Sequence, residues 1–353
     1  MPIQTAIDSI SNSQGSPFGF KNRIINGAMV IDQRNAGASV TPTTGTYTVD
    51  RWRIYASQTS KLTAQQNAGS VTPPAGYANY LGMTSSSAYS VISSDLFLLQ
   101  QFIEGYNSAD LAWGTASAQP VTLSFWVRSS LTGVFGVNVQ SGDGNTAYST
   151  TYTVNSANTW EQKTITILGP TSGTWLTTNG KGIVLNFIIG VGSASLPPAN
   201  NVWQSTNYYG AIGAQSLIAT NGATLYITGV QLEKGTQATA FDYRDYGREL
   251  QMCQRYFYSV NVNTQWPVGF TWSTNRVLAC VFFPANMRAA PTATMSGGIT
   301  YYWGSSSSVS TSSSIGLGGQ SSGAVSLDIT VTATAGTAGG IRLDSPILLS
   351  AEI

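Results

Sequence analysis

The sequence predicts an all-β protein: an N-terminal jelly-roll β-sandwich, a short linking helix and a smaller C-terminal β-sandwich domain. Three observations carry this expectation. Short stretches of period-two alternation recur between Gly, Ser, Asn and Thr turn clusters. In one stretch, residues 225–257, the period changes from that of a strand to that of a helix. Beyond it, apolar runs and alternation resume over about 95 residues. The expected boundaries are an arm at 1–21, the jelly roll at 22–243, the helix at 244–258 and the second β domain at 259–353. A chain of 353 residues is long enough for two substantial cores.

The arm is rich in Ser, Asn, Gln and Gly, with Ile3, Ile7, Ile10 and Phe18 as isolated apolar residues. Such a segment buries too little to order itself, and it is read as an attachment arm. In the jelly roll the clearest strand is 120–128, where Val121, Leu123, Phe125 and Val127 face one way and Thr122, Ser124, Trp126 and Arg128 the other. Similar strands are expected at 51–56, 89–103, 133–139, 148–154, 161–168 and 182–189, with turns at 141–145 and 177–180 and a helical turn within 102–111. About ten strands over some 220 residues suit a two-sheet sandwich. At the joint, Leu225 and Ile227 alternate with Tyr226 and Thr228 as the closing strand. Leu250, Cys253 and Phe257 then form a helical stripe. In the C-terminal domain, 277–283 is nearly all apolar and reads as a strand buried on both faces, which an oligomer interface would explain. Residues 325–334 alternate again, and 304–323 is a Gly/Ser-rich loop or hairpin tip.

Composition excludes several functions. Charged residues are 9% of the chain against about 25% in ordinary soluble proteins. The net charge of +1 supplies no field for nucleic acid or an anionic membrane, and no basic run compensates. Low charge suits a protein that lives inside an assembly. Histidine is absent, which removes the commonest general base, the Ser-His-Asp and Cys-His arrangements and the usual zinc ligand. Cys253 and Cys280 both sit where a small buried hydrophobe would serve, so free thiols are expected. The N-terminus lacks the basic start and apolar core of a signal peptide, and no apolar run reaches the length of a membrane span. No cofactor, metal or membrane insertion is expected.

Several motifs fall in a telling order. They are Asn22-Arg23-Ile24-Ile25-Asn26-Gly27-Ala28-Met29, Ile31-Asp32-Gln33-Arg34-Asn35 and Tyr47-Thr48-Val49-Asp50-Arg51-Trp52. Then come VTLSFWVR at 121–128, Val230-Gln231-Leu232-Glu233-Lys234-Gly235 with Ala238-Thr239-Ala240-Phe241, Glu249-Leu250-Gln251-Met252-Cys253-Gln254-Arg255-Tyr256, and Phe283-Pro284 with Met287-Arg288-Ala289-Ala290-Pro291. Together these resemble bacteriophage and prophage tail-fibre-like virion proteins, over most of the chain. Within it, 22–243 is similar to the jelly-roll carbohydrate-binding modules of glycanases. The resemblance implies a homotrimeric virion component with a sugar-binding-like body. Such modules often carry an acidic residue just after the opening Asn-Gly, where this chain has Ala28; the structural calcium they hold is therefore not expected here.

Flat aromatic rings beside amides and hydroxyls are how a protein surface takes a sugar. Trp126, the loop residues Trp203, Tyr208 and Tyr209, and the run Tyr301-Tyr302-Trp303 are the candidate glycan contacts. Each has a plainer reading, as a ring covered by a loop, a loop anchor, or strand packing. Leu250, Cys253, Phe257, Val281 and Phe283 are the candidate trimer interface. Asp242, Asp245 and Glu249 lie among Lys234, Arg244 and Arg248 and read as ion pairs rather than an acid/base pair. Asp32 and Asp50 are expected to pair with Arg34, Arg51 or Arg53. No catalytic residue is assigned. The expected function is a non-enzymatic trimeric tail fibre or adhesin, placed on the virion tail, which attaches to other virion proteins by its arm and recognises host-surface polysaccharide. The alternatives are a capsid or tail decoration protein and, in third place, a polysaccharide depolymerase.

Overall fold

The computed structural model describes residues 21–260, 268–273, 276–303, 308–312, 315–330 and 338–353. The candidate attachment residues Ile3, Ile7, Ile10 and Phe18 lie outside the described residues. The chain divides into two compact units between Tyr246 and Gly247.

The first unit is a sandwich of two antiparallel sheets. The seven-stranded sheet runs in the order β1 (Thr46–Val49), β2 (Trp52–Ala56), β5 (Leu96–Glu104), β10 (Lys181–Val191), β7 (Gly133–Ser141), β8 (Ala147–Val154) and β11 (Trp203–Gln204). The five-stranded sheet runs β3 (Leu62–Gln66), β4 (Leu81–Ser85), β12 (Thr224–Lys234), β6 (Val121–Ser129) and β9 (Glu161–Ile167). The chain crosses repeatedly between the sheets, so the strands of each sheet come from distant parts of the sequence. Alternation sets which face is buried: Val121, Leu123, Phe125 and Val127 of β6 meet Phe187 and Leu185 of β10 and Trp52 of β2 in one core.

The Asn-Gly opening wires this core together. Asn22 Oδ1 accepts from the Ile24 and Leu232 N–H groups, and its amide donates to the Val230 carbonyl. Asn26 sits at φ 57°, a region Asn tolerates, and its side chain donates to the Ile31 and Asp50 carbonyls while Trp52 Nε1 donates to its carbonyl. A methyl group on Gly27 would collide with the Val230 carbonyl. The motif is thus a clasp between the entry segment and the last strand.

Residues 89–95, expected to begin a strand, instead form a turn, because Asp95 collects the Tyr89 and Ser57 hydroxyls and the Ile92 N–H. β5 starts at Leu96.

The second unit opens on α1 (Tyr246–Gln254), the single α-helix among the described residues. It is shorter than the sequence pattern suggested, and Phe257 belongs to β13 (Phe257–Val260). β13 pairs with β22 (Ile347–Ser350), which pairs with β16 (Thr292–Met295). The larger sheet runs β18 (Ser308–Ser312), β17 (Ile299–Trp303), β21 (Ala338–Leu343), β14 (Val268–Ser273), β15 (Arg276–Phe282), β20 (Ala324–Thr330) and β19 (Ile315–Gln320). Its core includes Val277, Val281, Ile299, Tyr301, Ile341 and Leu349.

β15 corrects the expectation of a strand buried on both faces. Val277, Ala279 and Val281 are buried, whereas Cys280 is exposed and Phe282 is 75% exposed. Of the interface candidates, Cys253 and Phe257 are buried, Val281 lies in the core of the second unit, and Phe283 packs against that core. Leu250 is half-buried.

Candidate functional site

The glycan-contact candidates do not share one surface. Trp126 lies on the outer face of the five-stranded sheet, where it is half-buried. The Tyr77 phenol lies beside it, and Tyr77 packs with Phe241 and Tyr243 at ring centroid distances of 5.4 and 5.6 Å. Burial and the neighbouring Tyr243 push the Tyr77 phenol well above its ordinary pKa. Gly229, at φ 61° in the β12 bulge, admits the Tyr77 ring, which any side chain there would strike. Trp126 is therefore a covered ring, not an open platform.

Trp203 belongs elsewhere. It meets Trp113 and Trp175 edge to face, with centroids 5.5 and 5.6 Å from its own, and Tyr148 at a tilt, 5.2 Å away. The three indole N–H groups donate to the Gln119, Ser172 and Leu168 carbonyls. These rings staple loops to the sandwich. Tyr301 is fully buried in the second unit's core. Tyr302 and Trp303 are on β17, but their side chains lie outside the described residues.

Tyr208 and Tyr209 alone remain at an unusual surface, the outer face of the seven-stranded sheet. Here register aligns one residue from each of five strands: Arg53 opposite Gln100, Gln100 opposite Asn186, Asn186 opposite Asn138, and Asn138 opposite Ser149. Paired residues share a face, so this is a polar row across the sheet. Gln100 Nε2 donates to Asn186 Oδ1 at 2.7 Å, Asn186 Nδ2 to Asn138 Oδ1 at 2.8 Å, and Asn138 Nδ2 to Ser149 Oγ at 3.0 Å. Asn138 and Gln140 both donate to the Tyr208 carbonyl, and Gln140 also to Asn207 Oδ1. Tyr209 rests on Leu98 and Ile188 beside Tyr55. Loop 207–210 is thus pinned over part of the row.

The other end of the row is unanswered. Gln100 Oε1 is buried and has no hydrogen-bond partner, and the same holds for Arg53 Nε. The Arg53 guanidinium lies over the Phe102 ring, 4.7 Å from its centroid, and Lys181 Nζ stands 5.3 Å from the same centroid. A buried acceptor beside a buried donor, neither satisfied by the chain, is uncommon in a folded protein and makes this end of the row the candidate site. The arrangement offers amide donors and acceptors, half-buried phenol rings and a forked cation.

Ion pairs near the joint are as the sequence suggested for Arg244, which meets Asp242 at 3.4 Å; Lys234 instead lies near Asp110. Asp32 departs from the expected arginine pairing in its hydrogen bonds. Asp32 accepts from the Asn35 and Gly37 N–H groups, and Asp50 from Gln33. Among the described residues, no group of three or more His, Cys, Asp or Glu is placed to hold a metal, and no helix is long and apolar enough to cross a membrane.

The sequence reading missed Gln100, Asn138, Gln140 and Asn186. The available signal was a polar residue on one parity of otherwise apolar strands, Asn186 within GIVLNFIIG above all.

No protein-family model matches the chain, and no curated protein matches it. Solved structures similar to it include the enzymatically active domain of tailspike protein 4 from bacteriophage CBA120. That match has 13% identity over 61% of this chain and 21% of that one, with a TM-score of 0.33. A family 4 carbohydrate-binding module is similar at 17% identity over 60% of this chain and 98% of its own, TM-score 0.30. A family 11 carbohydrate-binding module from Clostridium thermocellum is similar at 12% identity over 57% and 98%, TM-score 0.29. Likenesses this distant leave function to be argued from the site itself.

Proposed function

We infer that the N-terminal sandwich recognises glycan, without cleaving it, on the outer face of its seven-stranded sheet. The observation that carries this reading is the amide row, with Gln100 Oε1 left unpartnered next to Arg53 and with Tyr55, Tyr208 and Tyr209 along its border. Sugar hydroxyls need paired donors and acceptors in fixed geometry, and sugar ring faces need flat apolar area; this surface offers both. The order of the sequence motifs supports placing this module in a tail-fibre-like virion protein, anchored through residues 1–21. Titration calorimetry of the purified protein against extracted bacterial surface polysaccharides tests the reading. Saturable binding that weakens about tenfold in Tyr209→Ala supports it, and the absence of binding to any host-derived polysaccharide overturns it.

A second observation favours assembly with other chains. The outer face of β14 and β15 carries Phe270, Leu278, Cys280 and Phe282, of which Phe270, Cys280 and Phe282 are exposed. Exposed apolar area of this kind on a sheet suits burial in a homotrimer, the state that would multiply weak sugar sites into avid attachment. The same face would serve a capsid or tail decoration protein. Light scattering decides: a Phe270→Ser/Phe282→Ser variant becomes monomeric if this face is the interface, and an unchanged mass removes it.

A further inference from the structure

Arg53 is the residue on this face that glycan recognition in general does not account for. A neutral sugar is satisfied by amides, hydroxyls and rings. Arg53 adds a permanent charge whose only interaction within the described residues is with the face of Phe102. It is half-buried, and its Nε is shielded from solvent without a partner. Lys181, exposed, approaches the same ring and likewise has no carboxylate or hydrogen-bond partner among the described residues. Both cations contact one ring, so they stand within about 10 Å of each other, roughly a Debye length at 0.1 M salt. Like charges at that spacing repel, and no carboxylate among the described residues pairs with either cation.

The nearby carboxylates are committed elsewhere. Asp32 turns its oxygens to the N–H groups of its own loop, and Asp50 is held by Gln33. Glu104, opposite Lys181 in register, is buried and already engaged. In a chain with so few charges, two unanswered cations form a local excess of donors, and the buried Gln100 oxygen beside Arg53 is an acceptor left for a sugar hydroxyl. Forked guanidinium donors match the two oxygens of a carboxylate, and Lys181 adds a second positive charge that needs no fixed angle.

We propose that the Arg53, Phe102 and Lys181 end of the seven-stranded sheet binds the carboxylate of an acidic polysaccharide, a uronate-bearing chain whose hydroxyls engage the adjoining amides. The inference rests on the glycan reading above and specifies its ligand. Arg53 fixes the orientation of the carboxylate. Lys181 contributes charge and little geometry.

The experiment is titration of the purified protein with size-matched polygalacturonate, dextran sulfate and dextran at 50 and 200 mM salt, repeated with Arg53→Gln and Lys181→Gln. The expected result is polygalacturonate binding that weakens at higher salt, falls at least tenfold in Arg53→Gln and about threefold in Lys181→Gln. Lys181 is exposed, so its variant reports on charge even if Arg53→Gln disturbs folding, which its thermal midpoint reveals. Dextran bound as well as polygalacturonate, with both variants unchanged, overturns the acidic assignment and leaves glycan recognition standing. Dextran sulfate bound in preference to polygalacturonate overturns the carboxylate. No binding to these three chains overturns the acidic assignment, and the panel of host-derived polysaccharides then decides the broader reading separately.

Discussion

The two outer faces of the N-terminal sandwich are built from the same alternation and end in opposite conditions. On the five-stranded sheet, Trp126 is closed over by Tyr77, Arg128 donates to the Asn158 carbonyl, and Glu233 is held by Thr239 and Gln231. On the seven-stranded sheet, Gln100 and Arg53 keep a buried acceptor and a buried donor that the chain does not satisfy. Aromatic rings alone therefore do not distinguish a binding face from a covered one. Unsatisfied polar atoms do, because leaving a buried polar group without a partner costs about 1–3 kcal/mol and such a cost persists only where something offsets it.

The contrast can be broken most severely at the centre of the row. Asn186→Leu keeps the volume of β10 but strands the Gln100 amide and the Asn138 carbonyl oxygen, two buried groups at once. A loss of about 2–5 kcal/mol is expected, read by denaturant unfolding, together with loss of polysaccharide binding. Trp203→Ala comes next. It removes one ring from the Trp113, Trp175 and Tyr148 cluster and should cost about 3 kcal/mol, while polysaccharide affinity stays within twofold. A large affinity loss in this variant would move the site to the cluster.

The sheets were legible in the sequence and the site was not, for a physical reason. Strands such as Val121–Ser129 announce themselves because one parity is apolar and the other polar. Lys181–Val191 reads as apolar almost throughout, since Ile188 on its outer parity packs with Leu98, Ala211 and Tyr209. Asn186, its one polar residue besides the leading Lys181, gained meaning only when register set it between Gln100 and Asn138, which lie 86 and 48 residues away. The aromatic candidates part company from the same cause. Trp203 and Tyr208 are five positions apart, yet one staples the sandwich edge while the carbonyl of the other caps the amide row. The exposed side of Arg276–Phe282 was equally hidden, because a run of apolar residues does not say which of them a chain buries by itself.

The comparison sharpens by exchanging roles between the two faces. Trp126→Ala should cost at most about 2 kcal/mol for a half-buried ring and leave polysaccharide binding unchanged. Tyr209→Ala should leave the thermal midpoint within a few degrees and weaken binding about tenfold, close to 1.4 kcal/mol. Equal effects of the two on binding would mean that the outer faces are not functionally distinct.

The smallest effect concerns charge. Glu161, on the edge strand of the five-stranded sheet, is everything Arg53 is not. Burial pushes its carboxyl up, but the Lys163 ammonium at 2.6 Å, the Ser156 and Asn155 N–H groups and the Asn155 amide outweigh burial and hold its pKa at about 2, below the ordinary 4.5. A depressed carboxylate contributes stability that is fully present above about pH 4.5 and is lost as pH falls through 2. The pair keeps some contact with solvent, so the contribution is about 1 kcal/mol or less. Glu161→Gln should lose that increment at neutral pH and show a shallower decline between pH 4.5 and 2, with polysaccharide binding at pH 7 unaltered. Arg53→Gln should do the reverse, sparing the acid limb and losing affinity. A charge already answered within the chain reports on folding, and one left unanswered reports on what the chain was folded to meet.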